Sequence, residues 1–384
     1  MRAGFVRTAA SYNRSAEESE MQLLKNEKLM KRYKSLFDYN PHMISVLNEQ
    51  GYITEVNQKL IDTIGYDATG MHFEDLLYDK KTSCAFDTFL QLKQGELIHE
   101  SDVIKGKNGA PLHIHYKGIP VMVDDQCEGI FVVARDITNS KRMQMGIKKD
   151  LELASRIQRS LLCAPLNHES LRVSGSYQPA SDIGGDMYVW YQIDDHRYGV
   201  LILDVMGHGI SSALITMAMR SLLEPIIMRY RTPHAVMAQL NRYMYKLFTE
   251  NTSTARFLTS IYVLINTRKQ EMEYINAGHP PGLLLHEGES YSLDSGSPPL
   301  GLSETMTFSS VKIPYFNNSR LLLYTDGLLD YLDETSVKGA IGRMQAYFIQ
   351  NDQSETEDYL NEVLQTRDFH FDHDDVTILK IDFL

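Results

Sequence analysis

Residues 140 to 162 contain no proline and a single glycine, Gly146, while Met143, Ile147, Leu151, Ala154, Ile157 and Leu161 recur at steps of three and four. That spacing predicts an amphipathic helix. It stands between two stretches whose apolar residues alternate or run in short blocks, the pattern of strands. A long helix separating two strand-rich stretches demands two hydrophobic cores. The length, 384 residues, agrees, because single domains usually hold about 100–200.

Composition narrows the class. Hydrophobic residues make up 43% and charged residues 23%, values of an ordinary soluble globular chain. The formal charge of −12, with no long Lys/Arg block, disfavours nucleic acid and anionic lipid as partners. The longest apolar run, Ile210 to Met228, is broken by serines, an Arg, a Glu and a Pro, so no membrane-spanning helix is expected. No apolar block follows Arg2 and Arg7, which argues against a secretory signal. Cys84, Cys127 and Cys163 are far apart and lack CxxC spacing, arguing against a disulfide framework or zinc knuckle and for a reducing cytoplasm.

Ahead of the central helix, residues 16 to 38 read as a helix, Met43 to Leu47 and Tyr52 to Val56 as a hairpin around Glu49-Gln50-Gly51, and Asp75 to Gln94 as mixed and helical. Strands follow from Leu97 to Lys105, at His113 to Tyr116 and from Gly129 to Ala134, with an Asn-Gly turn at Asn108-Gly109. This order, with Asn57 after the second strand and the closing Ala-Arg-Asp-Ile-Thr, resembles a PAS sensor domain over residues 31–139. The resemblance implies an antiparallel sheet with flanking helices and leaves the ligand unknown. Cys84 lacks the motif of the flavin-binding members and reads as an ordinary thiol. His113 and His115 share a strand face without a third ligand, so exposed or hydrogen-bonded histidines are expected there.

Beyond the central helix, Tyr188 to Ile193, Tyr198 to Val205, Phe257 to Ile265, Met272 to Asn276, Leu321 to Thr325 and Val376 to Phe383 are strand-like. Helical spacing covers Ser211 to Tyr230 and His234 to Phe248. At four places an apolar strand delivers an aspartate at its end: Asp186 after Gly184-Gly185, Asp204 before Val205, Asp326 before Gly327, and Asp374-Asp375 before Val376. One such carboxylate usually caps a turn. Four gathered together would repel one another, and a divalent cation removes the conflict. Without clustered Cys or an HxxxH pair, Mg²⁺ or Mn²⁺ suits the set better than Zn²⁺. Two such ions about 3.5–4 Å apart activate a water for in-line attack on phosphorus, so phosphomonoester hydrolysis is the expected reaction.

SDIGGDMY, LDVMGHG, NAGHPP, SGSPPLGL, YTDGLLD and DDVTILKI, in this order over residues 150 to 384, resemble the bacterial PPM (PP2C-type) phosphatase domain of the SpoIIE/RsbU class. LELASRIQRSLL resembles the regulatory helix of that class. The resemblance implies an αββα sandwich of two sheets flanked by helices, making the whole chain α+β. It also implies two Mn²⁺ or Mg²⁺ ions, with Asp204 bridging both and the Val205 carbonyl, Asp186, Asp326 and Asp374 completing the ligands. The expected catalytic residues are accordingly Asp204, Asp186 and Asp326. Asp182 and Asp375 are at best candidates for supporting the ligands from outside that set, and Asp375 reads alternatively as a turn cap. His208 reads as a structural residue of the loop leading into the next helix, or else as a general acid for the leaving oxygen; His279 reads as turn-stabilising, and Arg156 or Arg172 is left as a phosphate-binding alternative. The implied substrate is a small phosphoserine or phosphothreonine protein of the anti-sigma-factor-antagonist kind.

The expected division is an N-terminal helix or leader over 1–30, the PAS-like domain over 31–139, a coiled-coil-like linker over 140–165 and the phosphatase domain over 166–384. The linker either packs on its own domain or pairs with a second copy, making a homodimer that transmits a signal. Two other functions are weighed: a catalytically silent sensor or binding module, and a hydrolase of small phosphate esters. The four aspartates speak against the first, and the absence of a GxxxxGK[ST] loop against nucleotides as substrates of the second.

Overall fold

The computed structural model describes all residues except 1, 82, 84, 95, 97, 125, 208, 252–256, 295, 332–338, 340, 341, 345 and 347–373. The chain divides into two compact units, residues 1–147 and 148–384.

The first unit opens with helix α1 (Arg2–Asp38), which begins well before the helix expected from residue 16. Its last turn buries Phe37 against Phe131, ring centroids 6.3 Å apart. Strands β1 (Met43–Asn48) and β2 (Ile53–Val56) form the hairpin; short helices α2 (Gln58–Ile64), α3 (Phe73–Leu76) and α4 (Ala85–Lys93) follow. Strands β3 (Ile98–Lys105), β4 (Pro111–Val123) and β5 (Gln126–Asp136) complete an antiparallel sheet of order β2-β1-β5-β4-β3. Asn57 explains itself here. Its Oδ1 accepts from the amides of Ile44 (2.9 Å) and Leu60 (3.0 Å), and its Nδ2 donates to the carbonyls of Phe37 (3.1 Å) and His42 (2.9 Å). One buried amide thus caps α2 and ties it to the sheet and to α1. Against the sheet, Leu47, Phe73, Phe89, Leu92, Ile104 and Ile114 line an apolar cavity of about 100 Å³. His115 is exposed and sits 3.1 Å from the Ser101 hydroxyl, the hydrogen-bonded outcome expected for it. Cys84 lies outside the described residues.

Helix α5 (Thr138–Ser160) begins where the Asp-Ile-Thr motif ends the sheet. Asp136 Oδ1 accepts from the Thr138 amide (2.8 Å), and the Thr138 hydroxyl accepts from the His113 amide (2.9 Å). The motif therefore caps the helix and fastens it to β4.

The second unit is a sandwich. Strands β6 (Leu166–His168), β7 (Leu171–Gln178), β8 (Met187–Asp194) and β9 (Arg197–Val205) precede helices α6 (Ile210–Tyr230) and α7 (Pro233–Asn251). Strands β10 (Leu258–Asn266), β11 (Glu271–Ala277), β12 (Gly282–His286), β13 (Glu289–Leu293), β14 (Val311–Pro314) and β15 (Arg320–Tyr324) follow, then helix α8 (Gly327–Tyr331) and strand β16 (Val376–Phe383). They make two sheets, β14-β11-β10-β9-β8 and β13-β12-β15-β16-β7-β6. Val173, Trp190, Ile202, Val263, Leu323 and Ile381 pack between them. Leu203, Val205, Leu223, Ile227, Val236 and Leu240 fill the layer under α6 and α7, while Leu328 of α8 meets Leu322 and Ile378 on the other sheet. Both faces of the central strands are thus buried, which is why β9 reads Val-Leu-Ile-Leu without alternation. Each of those side chains contributes about 1.5–3 kcal/mol by leaving water.

Helix α6 corrects one expectation: it is long and apolar enough, by length and composition, to cross a membrane. Its Ala213, Met219, Leu223, Ile226 and Ile227 are buried, the last four in the layer beside the sheet. The antiparallel register sets the start of β8 beside the end of β9, Met187 facing Leu203. It also sets the end of β15 beside the start of β16, Tyr324 facing Ile378. All four aspartate-bearing strand ends therefore gather at one end of the sandwich, linked across the sheets by hydrogen bonds from Thr325 and Thr377 to Asp186.

Candidate metal centre

Asp186 is almost wholly buried, Asp204 and Asp374 are half-buried, and Asp326 is exposed. Burial pushes the Asp186 carboxyl well above its usual range, and the nearby Asp204 and Asp375 push it further. Asp204 is raised to about 8, by burial and then by Asp326, Asp374 and Asp375. The five carboxylates thus form one electrostatic group. Among the described residues, no three His, Cys, Asp or Glu side chains lie close enough to enclose an ion as they stand.

Glycines shape the same end. A Cβ on Gly185 would press on the Val205 carbonyl, one on Gly184 on the Asp375 carboxylate, and one on Gly327 on the Asp375 carbonyl. These close approaches bring the backbone carrying Asp186 against that of Asp204, and Asp326 against Asp374. Oxygen-only donors, mutually repelling and drawn together by glycine, fit a hard divalent cation.

Asp375 does more than cap a turn. It is buried, and its Oδ1 and Oδ2 accept from the amides of Ala180 (2.8 Å) and Gly185 (2.5 Å). It therefore holds the loop that presents Asp186. Burial raises its carboxyl, while those amide hydrogen bonds pull the other way. Asp186 Oδ2 in turn accepts from the hydroxyls of Thr325 and Thr377, each at 2.7 Å. The Thr216 hydroxyl of α6 donates to the Gly185 carbonyl at 2.6 Å.

Gln158, near the end of α5, is buried to 1% exposure. Its Nε2 donates to the Gly184 carbonyl (2.7 Å), and its Oε1 accepts from the Gly184 amide and the Tyr177 hydroxyl, both at 3.2 Å. A helix side chain thus grips the residue two before Asp186. Gln158, Thr325 and Thr377 were not singled out from sequence. The available signal was a polar residue beside the apolar stripe of an amphipathic helix and hydroxyls inside apolar strands.

The remaining expectations resolve by place. His279 is buried, its Nδ1 2.7 Å from the Thr259 hydroxyl, and Asn276 brackets its backbone by accepting from the His279 amide (2.9 Å) and donating to its carbonyl (3.0 Å). Thr259 faces Asp204 across β10 and β9. Burial lowers the His279 imidazole to about 3, so it stays neutral. His208 lies outside the described residues. Arg172 is the second residue of β7, six residues from Gln178, which pairs with Val376 beside the cluster. At about 3.3 Å per residue that is roughly 20 Å away, too far to touch a phosphate there. Arg156 lines a groove with Arg159, Pro179 and Asp182. Trp190 packs in the core and stacks on Tyr188 at 5.5 Å, whereas Tyr191 is half-buried and accepts from Arg220.

The family described as Stage II sporulation protein E (SpoIIE) matches residues 194–384, and the PAS domain family matches residues 41–139. Phosphoserine phosphatase RsbP of Bacillus subtilis (strain 168) is 41% identical over 191 residues, 50% of this chain and 47% of RsbP. Phosphoserine phosphatase RsbU of the same organism is 26% identical over 252 residues, 62% of this chain and 71% of RsbU. The alignment thus spans about half the length of RsbP. Among solved structures, the SiaA-PP2C domain of Pseudomonas aeruginosa superposes with a TM-score of 0.51 at 21% identity, covering 63% of this chain and 99% of that domain. Residues 194–384 thus match the SpoIIE family and residues 41–139 the PAS domain family, and the second unit has a PP2C-type fold.

Proposed function

We propose that this chain is a divalent-cation-dependent protein serine/threonine phosphatase that hydrolyses phosphoserine or phosphothreonine on a small regulatory protein. The observation that carries the reading is the convergence of Asp186, Asp204, Asp326 and Asp374 at one end of the sandwich, where Asp204 is raised to about 8. Asp204 stands within electrostatic reach of Asp186, Asp326 and Asp374, consistent with a ligand shared between two ions. Asp186, Asp326, Asp374 and the Val205 carbonyl would complete the set. Two Mn²⁺ or Mg²⁺ ions supply, when bound, an acidified water and positive charge for in-line displacement at phosphorus. Asp375, with its two amide hydrogen bonds, keeps the Asp186 loop fixed while that charge changes. The names of RsbP and RsbU support phosphoserine as the substrate. An anti-sigma-factor antagonist is the substrate class that the sequence resemblance implies.

Control would pass through α5. The grip of Gln158 on Gly184 supports a coupling in which movement of this helix shifts Asp186 and so alters cation affinity. Exposed Met143, Ile147, Leu153 and Ile157 on the same helix support pairing with a second copy.

The test is phosphate release from an aryl phosphate and from a phosphoserine protein, with Mn²⁺, Mg²⁺ or chelator. Wild type should turn over only with cation, and Asp204→Asn should lose about a hundredfold or more. Equal inertness of both proteins under every condition would favour the binding module instead.

A further inference from the structure

Resting on the reading of the aspartates as cation ligands, a finer arrangement concerns how the most buried of them is aimed. Asp186 Oδ2 accepts two hydroxyl hydrogen bonds, from Thr325 and Thr377, each at 2.7 Å. Both threonines are fully buried. The Thr325 oxygen also accepts from the Thr377 amide at 2.9 Å, and its single proton has Asp186 Oδ2 at 2.7 Å as a much nearer acceptor than the Asp375 carbonyl at 3.4 Å. The Thr325 amide donates back to the Thr377 carbonyl at 3.1 Å. The two threonines and one carboxylate oxygen therefore form a closed unit.

Its place in the chain matters. Thr325 immediately precedes Asp326, and Thr377 lies three residues after Asp374. Asp186 belongs to the opposite sheet, at the start of β8. Two hydroxyls thus join three of the four aspartate-bearing segments, and they do so on one oxygen of one carboxylate.

We propose that Thr325 and Thr377 are positioning residues that occupy Asp186 Oδ2, leave Oδ1 as its only cation-binding oxygen, and fix the spacing of Asp186 to Asp326 and Asp374. A carboxylate free to rotate would offer either oxygen, or both. The clamp forbids that choice before a cation arrives, so less ordering remains to be done on binding.

The experiment is Mn²⁺ binding to the full chain by calorimetry, paired with the Mn²⁺ dependence of phosphate release, for wild type, Thr377→Val, Thr325→Val, the two Thr→Ser variants and Asp204→Asn. Valine keeps the shape and removes the hydroxyl, whereas serine keeps the hydroxyl. The expected result is Mn²⁺ affinity about 10–100-fold weaker in each Val variant, restored by Ser, with kcat at saturating Mn²⁺ largely retained. Wild-type Mn²⁺ affinity in both folded Val variants would overturn the proposal. So would failure of both Val variants to fold while the Ser variants fold, because the hydroxyls would then serve the fold alone. If wild type binds no Mn²⁺, or Asp204→Asn binds it equally well, the phosphatase reading fails as well. If Asp204→Asn loses binding and the Val variants do not, only the clamp fails.

Discussion

Strand β16 carries carboxylates at both ends, and the protein treats them in opposite ways. Near its C-terminal end, Asp382 accepts from Arg320 Nε at 2.8 Å and lies 3.4 Å from Lys380 Nζ, with all three side chains largely withdrawn from solvent. Just before its first residue, Asp374 and Asp375 stand in the company of Asp186, Asp204 and Asp326. There the answering groups are backbone amides and threonine hydroxyls. Hydrogen bonds orient a carboxylate without removing its charge from the neighbourhood of the next. The contrast separates an ion pair completed within the fold from a carboxylate cluster that, on the proposed function, a cation completes.

The largest expected consequence lies in the opposite stability effects of neutralising the two ends. Asp382→Asn should cost about 1.5–3 kcal/mol by taking the charge from the carboxylate that Arg320 and Lys380 share. Metal-dependent turnover should persist in it. Asp204→Asn should make the chelator-treated protein more stable while abolishing turnover. Denaturant unfolding of both variants, with and without Mn²⁺, checks the pair, and a loss of stability in metal-free Asp204→Asn would break the comparison.

A smaller effect is expected with pH. An unfolded Asp releases its proton near 3.8, whereas folded Asp204 holds it until about 8. Between those values the folded state binds more protons, so this group's contribution is fully present at the acid end and is lost as pH rises through 8. His279 acts in the reverse sense, because its imidazole falls from 6.5 to about 3 on burial, and its contribution is complete above 6.5. From pH 6.5 to 8 the melting temperature in chelator should therefore fall, and Mn²⁺ should raise it most at pH 8. Thermal scans across that window, repeated on Asp204→Asn, should show the slope flatten.

The smallest effect belongs to Gln158. Removing its hydrogen bonds to Gly184 by Gln158→Ala should cost about 1–2 kcal/mol. It should also weaken Mn²⁺ binding about tenfold through the freed Asp186 loop. Unchanged Mn²⁺ affinity in a folded variant would detach α5 from the cluster and remove the support for control by this route.

Local pattern made the strands and the four aspartates legible. β9 and β15 are unbroken apolar blocks, so the charge at each end stood out, and α6 and α7 lie within a few residues of their expected bounds. What escaped were contacts between residues far apart in sequence. Asp375 reads as either a support for the ligands or a turn cap until Ala180 and Gly185 are seen to donate to it. Thr377 looks like an ordinary strand threonine until Asp186 from the other sheet arrives beside it. Strands β6, β7, β13 and β14 carry weaker apolar patterns and were not read as separate elements, and β12 was missed although its Leu283-Leu284-Leu285 is as apolar as β15. Helix α1 was started late because its first half lacks an apolar stripe, and length alone gives a sequence little to register.

The most direct measurement is a calorimetric titration of Mn²⁺ into the full chain at pH 7.5, for wild type and Asp204→Asn. Two ions bound per wild-type chain, with protons released as the raised Asp204 carboxyl ionises, and neither binding nor proton release in the variant, is the predicted result. Absence of binding in wild type, or identical binding in the variant, would contradict a cation centre built on these aspartates.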